Sequence, residues 1–286
     1  MAKIPKRTLG KTGESISVIG FGGLALAYIT QKEADNLVYQ AIESGVNFFD
    51  VAPSYGDAEI KLGNALKDLR SKILLSCKTT CRKKADSWNE MQQSLKRLKV
   101  DYFDFYLMHG IRDMEKDVIP SLSKDGMLKT AIEAQKAGLV RYIGFSAHTE
   151  ETAIAVLNQF DFDVMAFPVN AFCNFASEFG KNAITTALKK GVGVIGLKAL
   201  AKQKLQERQN KKFPGCWYEP VEEKELAKIL LLWTYQQGVS SVIPPADAGL
   251  FKMALEIIED TQISSLASDD VKMLENLSKA LNPIFP

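Results

Sequence analysis

The chain has 286 residues, with 36 Lys and Arg set against 34 Asp and Glu, and 46% of its residues are hydrophobic. This near balance of charge excludes a dedicated nucleic-acid binder, which carries a basic excess. The length buries enough core to dispense with disulfides or a structural metal. No apolar run reaches the roughly 18–20 residues that span a bilayer. The opening MAKIPKRTLGKTG lacks the apolar segment of a secretory leader. Cys77, Cys81, Cys173 and Cys216 follow no metal-ligand spacing. Four reduced thiols and a cytoplasmic protein are expected.

In chain order, a Lys11-Thr12-Gly13 turn between two extended pieces predicts an N-terminal hairpin that caps the bottom of the fold. Short β-branched or aromatic runs then begin near Val18, Phe48, Ile73, Phe103, Tyr142, Asp163, Val192 and Val239. Helical spacing separates them. Residues 32–44 put Ala34, Leu37, Val38, Ala41 and Ile42 on one face. Residues 86–98 offer Asp86 and Ser87 as caps and group Trp88, Met91, Leu95 and Leu98. Residues 222–236 are apolar around most of their circumference, which predicts a well-buried helix. Strands that alternate with helices pair in parallel, because a parallel neighbour needs a long crossover. Eight such units predict a closed (β/α)₈ barrel occupying residues 1–286 as one domain. Two loops, 110–128 after the fourth strand and 198–221 after the seventh, exceed ordinary connections. Within the second, KQKLQERQNKK reads as a solvated face or mobile arm, and Trp217 and Tyr218 read either as a substrate wall or as packing of the loop on the barrel.

The chemistry-bearing residues end strands two, three and four. NFFDVAPSYG gives Asp50 and, five residues on, Tyr55; ILLSCKT gives Lys78; DFYLMHG gives His109. Each follows an apolar run, so each points into the barrel mouth, where barrel enzymes carry out their chemistry. A buried lysine needs an opposite charge, which Asp50 supplies. A tyrosine beside an ammonium is expected to have a lowered pKa and to exchange protons near neutrality. Any one of them alone reads first as structural, Asp50 and Lys78 as an ion pair and Tyr55 and His109 as hydrogen-bonded mouth residues; all four together, on consecutive strand ends, read as a catalytic group.

The order RTLGKTG, IGFGG, GVNFFDVAPSYGDAEIKLGNAL, LLSCKT, SLKRLKVDYFDFYLMHG, GLVRYIGFSAH and GVSSVIP resembles the aldo-keto reductase family over nearly the whole chain. The resemblance implies a nicotinamide cofactor across the mouth, NADP(H) first and NAD(H) second, and no metal. It implies a tetrad of Asp50, Tyr55, Lys78 and His109, in which the tyrosine donates a proton to the carbonyl oxygen, lysine and aspartate tune it, and histidine positions the substrate. The cofactor pocket departs from the family. Ser146 is kept but Ala147 stands for the family's Asn, Ala166 for a Gln, Leu197 for a stacking Tyr, and Pro245 and Phe251 for ligands of the 2′-phosphate, with Lys252 one residue away.

Several residues keep two readings. Gly22 and Gly23 suit close approach of a phosphate-bearing ligand or a tight barrel turn. The helix beginning near Asp247 offers backbone N–H groups to a phosphate. Lys198 is a ligand for an anionic substrate or cofactor phosphate, or a solvated loop lysine. His148 is a mouth residue or a helix-entry residue beside the cap Thr149. The expected activity is reduction of an aldehyde or ketone, or the reverse, on a small carbonyl or sugar-like substrate by a monomer or weak homo-oligomer, with no nucleic-acid or membrane partner. The alternative is a lyase, dehydratase or isomerase that uses the tetrad without routine cofactor exchange. A non-catalytic binding subunit is the third reading, and the intact tetrad argues against it.

Overall fold

A computed structural model of the protein describes residues 4–206, 211–261, 263 and 265–285. The Lys11-Thr12-Gly13 turn joins two antiparallel strands, β1 (Lys6–Thr8) and β2 (Ser15–Ser17). Gly13 closes the turn at φ 72°, a conformation that favours glycine. The hairpin sends Leu9 and Ile16 into a cluster with Phe48, Phe105, Leu107, Val164, Ala166 and Ile195. These belong to the barrel strands, so the hairpin plugs the end of the barrel where the strands begin.

Eight strands follow the predicted runs: β3 (Phe21–Gly22), β4 (Phe48–Asp50), β5 (Leu74–Thr79), β6 (Phe103–Ile111), β7 (Val140–Ala147), β8 (Val164–Pro168), β9 (Gly193–Leu197) and, after two further strands, β12 (Ser241–Ile243). Each of the first seven pairs in parallel with the next. The ring closes where Ile19 bridges Val242 in parallel: Gly20 N–H donates to the Val242 carbonyl (2.9 Å) and Val242 N–H to that of Val18 (2.8 Å). The strands read as continuous apolar runs because both faces of a barrel sheet are covered.

The helices are α1 (Gln31–Glu43), α2 (Ala58–Leu66), α3 (Lys84–Leu98), α4 (Ile119–Leu122), α5 (Met127–Lys136), α6 (Glu150–Leu157), α7 (Ala171–Ser177), α8 (Lys181–Lys189), α9 (Lys224–Gln236), α10 (Ala248–Glu259) and α11 (Ser268–Ser278). Thr30 caps α1 reciprocally with Glu33. The sequence misplaces the start of α3: Asp86 and Ser87 lie inside it. Ser87 is buried and donates to Thr130 Oγ1 (2.8 Å), which donates to the Lys84 carbonyl (2.8 Å), a hydroxyl chain that ties α3 to α5.

Both long loops carry structure. After β6 a wide helical turn at Met114–Val118 runs into α4. After β9 the chain makes an antiparallel pair, β10 (Ala201–Lys204) and β11 (Tyr218–Pro220). Residues 207–210 of the expected solvated arm lie outside the described residues. No helix among the described residues is long and apolar enough to cross a membrane.

Candidate active site

The apolar runs of β4 and β5 hold their terminal polar residues in the mouth. Asp50 and Lys78 are buried, at 4% and 2% exposure, and form an ion pair through Asp50 Oδ2 and Lys78 Nζ. Ser76 donates to the other carboxylate oxygen, Oδ1, at 2.9 Å. Both oxygens of Asp50 are therefore engaged. The Lys78 ammonium also donates to the Tyr55 hydroxyl at 3.1 Å. The Tyr55 ring meets His109 edge-on, with centroids 5.7 Å apart and planes at 84°. The four residues named from strand ends thus share one cavity of about 220 Å³.

Electrostatics differ from the sequence expectation in one respect. Burial raises the pKa of Tyr55 above its ordinary 10, by more than the Lys78 ammonium lowers it. The phenol is a proton-holding acid at neutral pH, not a half-ionised one. Burial opposes the charge on Lys78, yet Asp50 and Tyr55 together outweigh it and hold that pKa above its ordinary value. Burial, then the cations Lys78, Arg82 and Arg112 together with the nearby His148 ring, push His109 well below its ordinary 6.5, so the ring is neutral. Its Nδ1 is buried without a hydrogen-bond partner among the described residues.

Of the other expected site residues, Gly22, Ser146, Leu197, Lys198, His148, Trp217 and Tyr218 line this cavity. Ser146 Oγ accepts from Gly110 N–H (2.8 Å) and keeps its own proton for a ligand acceptor. A Cβ on Gly22 would stand 2.8 Å from Ile243 Cγ2, another lining residue, so a side chain there would crowd the cavity wall. Gly23 is different. It is buried, and a Cβ would meet the Asp50 carbonyl at 2.9 Å. This close packing agrees with the tight-turn reading, and Gly23 does not line the cavity. Asp247 also departs from expectation: its Oδ1 accepts from Gly249 N–H (2.8 Å) and Leu250 N–H (3.0 Å). The amides expected to greet a phosphate are occupied by the protein's own carboxylate. Lys252 does not reach the mouth; it is exposed and lines a groove with Leu37, Tyr39 and Gln40 of α1. Phe251 packs edge-on against Phe21 in the core (5.1 Å).

His148 satisfies both of its readings. Thr149 caps α6 by accepting from Thr152 N–H, and His148, just before it, faces the cavity with 9% exposure and an Nδ1 without a hydrogen-bond partner among the described residues. Burial, then Lys198, Arg112 and Lys78, lower its pKa to about 3. Because the native pKa lies below the unfolded value, the unfolded chain binds more protons below pH ~6.5, and stability falls as pH drops through that range. His148 is expected to account for about 2–3 kcal/mol of the stability lost between pH 7 and 4.5. Urea denaturation of the wild type and of His148→Gln at both pH values checks this; equal losses would refute it.

Sequence reasoning missed several residues of the site, among them Ser76, Arg112, Pro244 and Asn170. Ser76 lies two residues before Lys78 on the same face of β5. Arg112 follows β6 directly and lines the cavity. Pro244 lines it just beyond the end of β12. Asn170, after β8, donates through Nδ2 to the carbonyls of Lys198 (2.9 Å) and Ala201 (2.7 Å). Position within two residues of the end of a barrel strand was the available signal for the last three.

The aldo/keto reductase family model matches residues 18–273. The chain belongs to the aldo/keto reductase family. It is similar to L-galactose dehydrogenase of Arabidopsis thaliana, 26% identical over 99% of this chain and 96% of that protein. It is also similar to D-galacturonate reductase of Fragaria ananassa, 26% identical over 91% and 88%. In fold it matches the holo form of an aldo-keto reductase from Bacillus halodurans, with TM-score 0.75, 21% identity and 98% of each chain covered. The protein is thus an enzyme of the oxidoreductase class. Gly22, Ser146 and Leu197 line the mouth of this aldo/keto reductase and are the residues that could hold a nicotinamide ring. At the start of α10 the Asp247 carboxylate accepts from two of the amides that a phosphate would otherwise meet.

Proposed function

We propose that the protein is a cytoplasmic, nicotinamide-dependent oxidoreductase that interconverts a small carbonyl compound and its alcohol. The observation that carries this is the contact of the Tyr55 hydroxyl with the ammonium of a buried Lys78–Asp50 pair, open to a cavity. The bound nicotinamide supplies or accepts the hydride. Tyr55 holds the proton that the carbonyl oxygen takes up as it gains negative charge, and Lys78 stabilises the phenolate left behind. Asp50, fixed by Ser76, keeps Lys78 charged and aimed at the phenol. Neutral His109 beside Tyr55 orients the carbonyl oxygen. Gly22, Ser146 and Leu197 would hold the ring.

On the adenosine side, Asp247 supports NAD(H) over the NADP(H) that the family resemblance suggests. A phosphate there would face a carboxylate, while a ribose hydroxyl could donate to it. NADH is expected to bind at least about tenfold more tightly than NADPH, which corresponds to about 1.4 kcal/mol. Calorimetric titration of both, after checking denatured protein for co-purified nucleotide, tests the cofactor. Equal or reversed affinities would remove this preference. Absence of binding at millimolar concentrations, with no retained nucleotide, would overturn the oxidoreductase reading. Turnover in cofactor-free buffer would then favour proton transfer by the same four residues, as in an elimination or isomerisation, a reading supported by the apolar Ala147 and Ala166 where carboxamide ligands were expected.

A further inference from the structure

The cavity holds more cation than its own chemistry uses. Lys78, Arg112 and Lys198 line it against one carboxylate, Asp50, whose oxygens are both taken by Lys78 and Ser76. Neither Arg112 nor Lys198 forms a salt bridge among the described residues. Lys198 instead lies over two aromatic rings, 5.0 Å from the centroid of Tyr218 and 5.6 Å from that of Trp217. Its backbone is held at φ 62°, an uncommon conformation for a residue with a side chain. Asn170, buried, secures that turn by donating to the Lys198 carbonyl, and Ala201 N–H donates to the same oxygen at 3.0 Å. The buried Asn170 clamp thus fixes the turn from which the Lys198 side chain enters the cavity wall. Next to it, buried His148 leaves Nδ1 without a hydrogen-bond partner among the described residues.

We propose that Lys198 and Arg112, with His148 beside them, form a carboxylate-binding subsite, so that the substrate is a small oxo acid or sugar acid whose carbonyl reaches Tyr55. The inference rests on the oxidoreductase reading for the word substrate, but the subsite itself does not. Like charges held together without an acid are relieved when an anion enters. Burial, then Lys78 and Arg112, depress the pKa of Lys198 to about 8, as expected for a cation awaiting its partner. Trp217, at 44% exposure, covers one side of the lysine and leaves the other to the cavity. Asn170 acts through Lys198 as a positioning residue.

Succinate is a suitable probe because it carries the carboxylate and nothing reducible. Calorimetry on the full-length protein, without cofactor, is expected to give saturable succinate binding that weakens about tenfold or more in Lys198→Met and in Arg112→Gln. Arg112 is exposed, so the second variant folds even if the first does not. Binding of NADH and inorganic phosphate to the same variants separates a substrate carboxylate from a cofactor phosphate. If NADH and phosphate lose affinity while succinate does not, the cations serve the cofactor and the inference is overturned. It is also overturned if succinate fails to bind, or binds equally to all three proteins. Failure of NADH to bind the wild type would count against the oxidoreductase reading alone, because the succinate comparison stands without it.

Discussion

Tyr55→Phe is expected to lower carbonyl turnover by a factor of about 100 to 10,000 while the barrel stays folded, the range spanned by removal of a general acid. The hydroxyl's contact is with Lys78 Nζ at 3.1 Å, and the ring keeps its edge-on packing with His109. Deleting one oxygen therefore costs little stability, about 1 kcal/mol for one hydrogen bond. The pH profile carries further information. With burial holding the phenol protonated past its ordinary 10, the rate of reduction should stay level through neutral pH and fall only in alkali. The reverse oxidation, which needs the phenolate, should rise with pH over the same range. His109 is neutral well below 6.5, so no inflection is expected there. Full activity in Tyr55→Phe, measured by the change in nicotinamide absorbance and alongside a matched thermal melt, would displace Tyr55 as proton donor. A rate of reduction that falls as pH rises through about 6.5 would return the proton to histidine.

The barrel and the four-residue group were legible for one reason. A strand buried on both faces writes an uninterrupted apolar run, and a polar residue that ends such a run has nowhere to point but the mouth. Phe48-Phe49-Asp50 and Leu74-Leu75-Ser76-Cys77-Lys78 both have this form. Depth was not legible. The sequence puts a lysine beside a tyrosine, and charge alone predicts a lowered pKa; only the fold shows that burial prevails at Tyr55. The misreading at Asp247 was avoidable, since aspartate before a helix caps it with its own carboxylate. Lys252 was legible as well: Leu250, Phe251, Ala254, Leu255, Ile257 and Ile258 define the buried face of α10, and Lys252 falls off it. The cationic surplus was hidden because Arg112, His148 and Lys198 come from three different loops and meet only when the ring closes.

Lys78→Met is expected to produce the largest loss of stability of any mouth substitution, about 3–5 kcal/mol, because it leaves Asp50 buried without a counter-ion. Ser76 still donates to one carboxylate oxygen, but a hydroxyl does not neutralise a charge. In the variant, Asp50 escapes the cost by taking a proton, so its native pKa rises above the unfolded value of ~3.9. The sign follows: a group whose native pKa is raised is fully accommodated below the unfolded pKa, and its contribution is lost as pH climbs through the native one. Lys78→Met should therefore grow less stable relative to wild type from pH 5 to 9. Adding Asp50→Asn removes the stranded charge and should recover much of the deficit and abolish its pH dependence, although turnover stays low because nothing then stabilises the Tyr55 phenolate. Urea denaturation of the wild type, both single variants and the double variant at three pH values forms a complete cycle. A Lys78→Met midpoint that matches wild type at every pH would show that the pair carries no buried charge. A double variant no more stable than Lys78→Met would assign the loss to packing of the lysine stem instead.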